Sequence, residues 1–334
     1  MKFNSSSTIK SIPKMKMENR MYYGVPVDPK SNSKNDSESN KKSEASKKKT
    51  AEDDAIGSLI FDVRKGRYNF TDLVLSDEVL ADLEVLQSMI RNHSLVYETW
   101  GMSKIDPYGN QIAFNLYGPP GTGKTMIVEA LCNMWNKQLI DINLSQLESK
   151  YVGDTGKNIV KAFKKARETG ALLFFDEADT VLGRRLAEVT QSADSSVNTA
   201  RGVMLKQLEQ HNGIIAFATN FPKNYDNAFL RRILKHVHIP LPDKELRKTL
   251  WEKKIPKNAP GRYELDFTIL SDTSEGLSGG EILNSVKNAL FKAASMSPPK
   301  LTMDMLLESV KQMKEAKKNI GKSVNIDICE ISQN

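Results

Sequence analysis

The 334-residue sequence has few cysteines and no long apolar run. Its two cysteines, Cys132 and Cys329, lie far apart and form no metal or redox spacing. We expect Cys132, which falls in an apolar helical stretch, to be buried as a small hydrophobic residue. No apolar run approaches the ~20 residues of a membrane span, and the run at 171–175 is among the longest. The composition therefore argues against a transmembrane segment.

Two further signals are missing from the sequence. The N-terminus has lysines but lacks the apolar segment of a secretory signal. No internal repeat of the kind that builds solenoids is visible. With no other targeting signal, the default expectation is a cytoplasmic protein.

The basic charge of the chain is confined to its N-terminal part. The net formal charge is +7. Residues 1–50 hold eleven Lys and one Arg against five Asp or Glu, whereas the remainder has 36 basic and 36 acidic residues. The Ser-, Asn- and Lys-rich segment 1–55 cannot bury enough apolar area to order itself, so we predict a disordered tail. Two roles stay open for it: a solvated leader, or a segment that docks on an acidic partner, nucleic acid or lipid.

Apolar patterning from about residue 68 indicates two folded parts. Short apolar runs that predict strands alternate with amphipathic helices, which is typical of βαβ units and a mostly parallel sheet. The predicted strands are 112–117, 138–144, 172–175, 214–219 and 237–241, with helices at 124–135, 157–168 and 197–211. Beyond Pro242 only helices are predicted, at 244–253, 280–294 and 302–317. We therefore predict an α/β domain over 56–242, a helical domain over 243–320 and a C-terminal extension over 321–334.

A glycine-rich segment, GPPGTGKT, follows the strand at 112–117 and opens the next helix. It fits the phosphate-binding loop pattern G-x-x-x-x-G-K-[ST], in which backbone N–H groups and a helix N-terminus surround a polyphosphate. Lys124 can reach the β- and γ-phosphates, and the Thr125 hydroxyl can ligate Mg²⁺. The segment predicts a site for ATP and Mg²⁺ formed by Gly118, Pro119, Pro120, Gly121, Thr122, Gly123, Lys124, Thr125 and Met126.

Polar residues end two of the predicted strands. Asp176 and Glu177 follow a buried apolar run, at the edge where open α/β sheets bind ligands. Asp176 is suited to hold Mg²⁺ through its water shell, and Glu177 to act as general base toward a water in line with the γ-phosphate. Asn220 ends the strand at 214–219 and can orient that water.

Adjacent arginines, Arg231 and Arg232, follow eleven residues after Asn220. Arginine suits the planar recognition of phosphate. Both residues lie past the sheet edge that holds their own nucleotide, so the natural target is the nucleotide of a neighbouring subunit. A surface salt bridge is the alternative.

The order and spacing of these motifs resemble the AAA family of ATPases, within the AAA+ superfamily. The resemblance rests on GPPGTGKT, LLFFDEAD, ATN and the paired arginines, and it covers about residues 68–295. The adjacent arginines in AFLRRILKHVHIPLPD are more similar to the spastin and katanin branch than to members with R-P-G-R there. The resemblance implies an α/β fold, with a P-loop NTPase parallel sheet as the large domain, followed by a small all-helical lid domain.

The resemblance also implies roles for individual residues. The catalytic set would be Glu177, Asn220, Arg231 and Arg232. Leu73 and Val74 would contact adenine, although 70–79 lacks the glycines usual at this place. Gly279 would face the nucleotide at the start of a lid helix, where Gly-Ala is commoner than the Gly-Gly present here.

The segment KYVG at 150–153 is unusual for a solvated connection, because a bulky apolar pair stands between charged residues. By the resemblance, Lys150, Tyr151, Val152 and Gly153 form a pore loop whose aromatic residue grips an extended polypeptide. Local packing of Tyr151 is the alternative. The resemblance implies a homo-oligomer, a hexamer, whose function is to thread or unfold a polypeptide substrate. A nucleic-acid-associated ATPase recruited by the tail and an ATP-dependent assembly switch stay open as alternatives.

Overall fold

The computed structural model describes residues 61–107, 109, 111–143, 155–183, 192–220 and 225–329, a few of them by backbone alone. The predicted basic tail and the predicted pore loop at 150–153 lie outside these residues. Within them, no helix is both long and apolar enough to cross a membrane.

Six strands of the described chain form one sheet, in the order β1-β3-β4-β5-β2-β6. The strands are β1 (Val63–Arg64), β2 (Ile112–Tyr117), β3 (Leu139–Asn143), β4 (Leu172–Asp176), β5 (Ile214–Thr219) and β6 (Lys235–His238). Strand β1 pairs antiparallel with β3, and the other neighbours pair parallel. The predicted α/β sheet is confirmed, while β1 was missed and β6 begins and ends earlier than predicted.

The central strands are buried on both faces, because successive side chains of a strand point to opposite sides of the sheet. In β4, Leu173 and Phe175 pack into the core on one face, and Leu172 and Phe174 into the core on the other. Two-sided burial explains why the strands read as continuous apolar runs rather than alternating patterns. Each fully buried Phe stabilises the fold by about 1.5–3 kcal/mol.

Helices cover both faces of the sheet. They are α1 (Asp77–Ser94), α2 (Lys124–Met134), α3 (Thr155–Thr169) and α4 (Ser192–Gln210). The side chain of Cys132, on α2, is buried as predicted, and burial raises the pKa of its thiol to about 12. The sequence analysis did not predict α1, although Ser76 caps it by accepting a hydrogen bond from the Val79 N–H at 3.4 Å.

Four helices follow the sheet: α5 (Lys244–Lys254), α6 (Phe267–Thr273), α7 (Gly279–Ala294) and α8 (Met303–Cys329). They share a core of their own, in which Trp251, Leu270 and Leu306 are fully buried. The predicted helical region is therefore confirmed. Helix α8 continues past residue 320, where the sequence analysis placed the start of an extension, and the domain limits stay predictions.

Short turns of helix complete the described chain. They are the 3₁₀ turns Phe70–Asp72 and Arg262–Glu264, the π-helix Leu95–Thr99, and the single turns Met102–Ile105, Asp179–Leu182 and Asn227–Leu230. The turn Phe70–Asp72 matters for the site, because it holds the chain just before Leu73 and Val74. Its cap is reciprocal: the Asn69 N–H donates to Asp72 Oδ2 at 2.8 Å.

Candidate functional site

The glycine-rich segment 118–123 connects β2 to α2. Gly118, Gly121 and Gly123 have φ angles of 150°, 75° and 95°, in the region that favours glycine. A Cβ at Gly118 would lie 2.1 Å from the Ile239 carbonyl oxygen. The three glycines therefore allow the backbone to turn, and Gly118 also allows close contact with the backbone of Ile239 after β6.

The side chain of Lys124 is buried at the start of α2. Its Nζ donates to the carbonyl oxygens of Gly118 at 2.8 Å and Pro119 at 2.9 Å, and to Asn220 Oδ1 at 2.8 Å. The three donors of the ammonium are thus all used. The contact with Asn220 brings the phosphate-loop lysine to the end of β5, as both predicted roles require.

Two opposing effects act on the pKa of Lys124. Burial lowers it, because desolvation disfavours the charged form, and the charges of Asp176 and Asp179 act against this. A bound polyanion would therefore offset the free-energy cost of burying the charged Lys124 ammonium.

Thr125 and Asp176 meet at the same edge of the sheet. The Thr125 hydroxyl donates to Asp176 Oδ2 at 2.8 Å. The other carboxylate oxygen, Oδ1, accepts from the Glu177 N–H at 2.9 Å. Hydroxyl, carboxylate and water oxygens are the ligands that Mg²⁺ prefers. The donor set therefore fits Mg²⁺, which Thr125 would bind directly and Asp176 through water.

Glu177 has an unusual backbone conformation. Its φ of 52° lies in the left-handed region, which costs a non-glycine residue about 1–3 kcal/mol. The side chain is exposed on the cavity side and accepts from Asn143 Nδ2 at 3.1 Å through Oε2. Asn143 ends β3 and lies opposite Asp176 in the sheet register. The sequence analysis missed Asn143, although it ends a parallel strand at the same edge as Asn220.

A cavity of about 540 Å³ joins these residues. Its lining contains most of the predicted nucleotide contacts: Leu73, Val74, Pro120, Gly121, Thr122, Gly123, Lys124, Thr125, Met126, Asp176, Glu177, Asn220 and Gly279. Gly118 and Pro119 are outside the lining. The helical region adds residues that the sequence analysis missed: Leu250, Lys254, Gly280 and Leu283. Both folded parts therefore contribute to one site.

The start of α7 touches the phosphate loop directly. The Gly280 N–H donates to the Gly121 carbonyl oxygen at 2.9 Å, and a Cβ at position 280 would lie 3.3 Å from Gly121 Cα. Glycine in place of the usual alanine thus allows a closer approach. The helix start is fixed by a capping box, in which the Ser278 N–H donates to Glu281 Oε2 at 2.6 Å.

The two adjacent arginines have different surroundings. Arg232 donates from NH1 to the Ala228 carbonyl oxygen at 2.8 Å and from Nε to Glu209 at 3.1 Å, so it is tied to α4. Arg231 is exposed. Neither lines the cavity. Their predicted action on a neighbouring subunit therefore stays a prediction, while the surface salt bridge is observed for Arg232.

Comparison with known proteins finds relatives of the sheet domain. Residues 114–241 match the sequence profile of the ATPase family associated with various cellular activities (AAA). The chain is 31% identical over 218 residues to a Cell division cycle protein 48 homolog of Archaeoglobus fulgidus, which is 63% of this chain and 29% of that protein. It is 32% identical over 216 residues to 26S proteasome subunit RPT4 of Saccharomyces cerevisiae (62% and 48%). It is 31% identical over 209 residues to spastin of Xenopus laevis (60% and 34%).

The chain spans less than half the length of these relatives. The matched residues include the phosphate loop, the two carboxylates at the end of β4 and the paired arginines. Spastins are among the relatives, in agreement with the similarity expected from the arginine segment. Residues 114–241 therefore match the AAA family of ATPases.

Proposed function

We propose that the chain hydrolyses ATP, with Mg²⁺, in the cavity between the sheet edge and the helical region. The observation that carries this proposal is the pair of contacts Thr125–Asp176 and Lys124–Asn220, both at 2.8 Å. They bring together three segments that are distant in the sequence and that have complementary chemistry for phosphoryl transfer. The match of residues 114–241 to the AAA family of ATPases supports the same reaction.

Each residue has a defined task in this proposal. Lys124 and the loop N–H groups bind the phosphates, and Glu177 accepts a proton from the attacking water while Asn220 holds that water in line. Asn143 orients the Glu177 carboxylate through its 3.1 Å hydrogen bond. When bound through Thr125 and Asp176, Mg²⁺ neutralises charge on the phosphates.

Substitution of Glu177 tests this proposal. Glu177→Gln removes the base but keeps the shape, so the variant should bind ATP with nearly unchanged affinity and turn it over at least 100-fold more slowly. Glu168→Gln, an exposed glutamate on α3, is the matched control and should keep the wild-type rate. Undiminished turnover by Glu177→Gln would contradict the assignment of the base.

We further propose that the chain acts as a homo-oligomeric ring, a hexamer, in which arginines complete the site of a neighbour. The exposure of Arg231 supports its action across a subunit interface. One relative is named as a subunit of a larger assembly, the 26S proteasome. An arginine finger is worth about 10³–10⁵ in rate. ATPase activity that stays constant as the protein is diluted to a monomer would refute this arrangement.

The proposed substrate is a polypeptide that is threaded or unfolded through the pore of the ring. Support comes from the sequence of the segment 150–153, which ends two residues before α3 begins at Thr155. Tyr151→Ala should keep most ATPase activity and lose unfolding of a tagged substrate protein. If both activities persist in this variant, Tyr151 is not the residue that holds the substrate. A ring that assembles with ATP but unfolds nothing would favour the assembly switch.

Recruitment to nucleic acid is the second candidate, and the charge of the tail favours it. All of the net charge of +7 comes from residues 1–50. Binding through Lys and Arg to phosphates weakens steeply with salt. A mobility-shift assay at two ionic strengths, with the full chain and with a chain lacking residues 1–55, separates this candidate from protein remodelling. The cytoplasmic location stays a prediction.

A further inference from the structure

Three polar side chains are buried on one face of the sheet, near the end of β5. Asn115 on β2 is 0% exposed, Thr219 is 1% exposed and Tyr225 is 5% exposed. The sheet register pairs Asn115 with Phe217 and Tyr117 with Thr219, so Asn115 and Thr219 point to the same face. Tyr225 belongs to the apolar core on that face, together with Phe217. We name Asn115, Thr219 and Tyr225 the buried polar cluster.

Asn115 and Tyr225 are close neighbours, yet no direct hydrogen bond joins them. Burial raises the pKa of the Tyr225 hydroxyl to about 12, and the neighbouring side chains of Thr219 and Asn115 act against burial. Among the residues that the structure describes, the Tyr225 hydroxyl and both amide atoms of Asn115 have no hydrogen-bond partner. Leaving a buried polar group unpaired is costly, so these three atoms require a partner.

A water molecule meets this requirement where a shift of the protein does not. Asn115 lies in the middle of β2, which pairs with β5 on one side and β6 on the other. Tyr225 forms a backbone bridge with Gly183, and the next amide, that of Asp226, donates to the Leu182 carbonyl oxygen at 2.8 Å. Backbone bonds therefore hold both side chains in place. Buried water typically makes about three hydrogen bonds to groups of this kind, and a water bridge is nearly as favourable as a direct bond.

The buried polar cluster lies on both sides of Asn220 in the sequence. Thr219 directly precedes Asn220, and Tyr225 follows it by five residues. Asn220 Oδ1 accepts a hydrogen bond from Lys124 Nζ at 2.8 Å, which places this side chain at the cavity. Both ends of the stretch are thus anchored at one cluster, which limits displacement of the Asn220 side chain. Catalysis requires such side chains to be held within about 0.5 Å of the productive geometry.

We propose that Asn115 and Tyr225 bind one internal water molecule and, together with Thr219, position Asn220 for hydrolysis. Water both donates and accepts, as the hydroxyl of Tyr225 and the amide of Asn115 require. Asn115 and Tyr225 are positioning residues, because neither lines the cavity. This inference rests on the proposed function, since it requires Asn220 to act in the hydrolysis of ATP.

Steady-state ATPase kinetics of the full chain test the positioning role. Tyr225→Phe removes only the hydroxyl, and Asn115→Leu replaces the amide by an apolar side chain of similar size. Each should lower kcat about 3- to 10-fold, the effect of one hydrogen bond, and leave KM for ATP unchanged because the phosphate loop is intact. The double variant should lose no more than the worse single variant, since one link is removed in each case. Tyr263→Phe, at a tyrosine that is 94% exposed, is the matched control and should keep the wild-type kcat.

A high-resolution crystal structure of the full chain tests the water site directly. The wild type should show one water molecule within about 2.7–3.2 Å of both the Tyr225 hydroxyl and the Asn115 amide. The double variant should lack this water. A direct hydrogen bond between Asn115 and Tyr225, or a wild-type cluster without water, would overturn the water site.

The outcomes for this inference and for the proposed function are distinct. If the wild type hydrolyses ATP and both single variants keep its kcat, only the positioning role is refuted. If the wild type does not hydrolyse ATP, the proposed function is refuted, and the crystal structure still decides the water site. Urea unfolding measures the folded fraction of each variant at the assay temperature. A loss of kcat in fully folded variants supports positioning, whereas a loss that only matches the unfolded fraction overturns it.

Discussion

Acid should destabilise the protein through one buried histidine, His211, which follows the end of α4. Its side chain is 1% exposed and lies edge-on to Phe163, with ring centroids 5.3 Å apart. Among the described residues, neither ring nitrogen has a hydrogen-bond partner. Burial, with a smaller contribution from the charge of Arg167, lowers the pKa of His211 to about 4. The unfolded chain has the ordinary value, about 6.5.

The sign and size of the effect follow from these two values. Between about pH 6.5 and pH 4 the unfolded chain binds a proton at this site and the folded protein does not, so stability falls as the pH falls. The stability that comes from keeping His211 uncharged in the folded protein is fully present above about pH 6.5. At pH 5.0 the loss relative to pH 7.5 is about 2 kcal/mol, since each pKa unit corresponds to about 1.4 kcal/mol.

Urea unfolding of the full chain at pH 7.5 and pH 5.0 measures this loss. His211→Leu, which fills the site with an apolar side chain, should lower the difference between the two free energies of unfolding by about 2 kcal/mol. His238→Gln, at an exposed position of β6, is the control and should leave the difference as in the wild type. An unchanged pH dependence in His211→Leu would refute the reasoning.

Three further substitutions test other parts of the structure. Arg64→Met removes the partner of the buried Glu129 carboxylate, 2.8 Å away, and should lower the free energy of unfolding by about 3 kcal/mol in urea titrations, against at most 1 kcal/mol for an exposed pair. An unaltered transition would contradict the role of this ion pair. Gly118→Ala would place Cβ 2.1 Å from the Ile239 carbonyl oxygen, so titration calorimetry should detect a large loss of ATP affinity; full affinity would show that the loop can shift. Arg231→Ala should reduce ATPase activity at least 10³-fold while ATP affinity changes little; full steady-state activity would exclude it as a finger.

The sheet and the phosphate loop could be predicted because their signals are local. The strand at 112–117 and the strand at 214–219 were placed at their observed limits, since an apolar run between turn residues marks a buried strand. The glycines of the loop stand in a fixed pattern whose backbone requirement is the same in any such loop. Carboxyl ends of parallel strands share one edge, which is why Asp176 and Asn220 could be expected together.

Other features depend on contacts between distant segments. Helix α1 was missed although Ser76 and two following acidic residues form a helix-start signal, because the segment was interpreted as an adenine-contacting loop. Lys254 enters the cavity only through the packing of the helical region on the sheet domain, which no local pattern encodes. The pairing of Arg232 with Glu209 across 23 residues likewise needs the fold of α4. Long-range packing therefore decides which charged residues serve the site.

The hydrogen bond from the Gly280 amide to the Gly121 carbonyl makes the separation of the helical region from the phosphate loop measurable. The Gly280 amide is protected from exchange with solvent deuterium only while this hydrogen bond is intact. Its donor belongs to the helical region and its acceptor to the sheet domain. The exchange rate of this amide in deuterated water would therefore report opening of the interface in an unlabelled, unmodified chain.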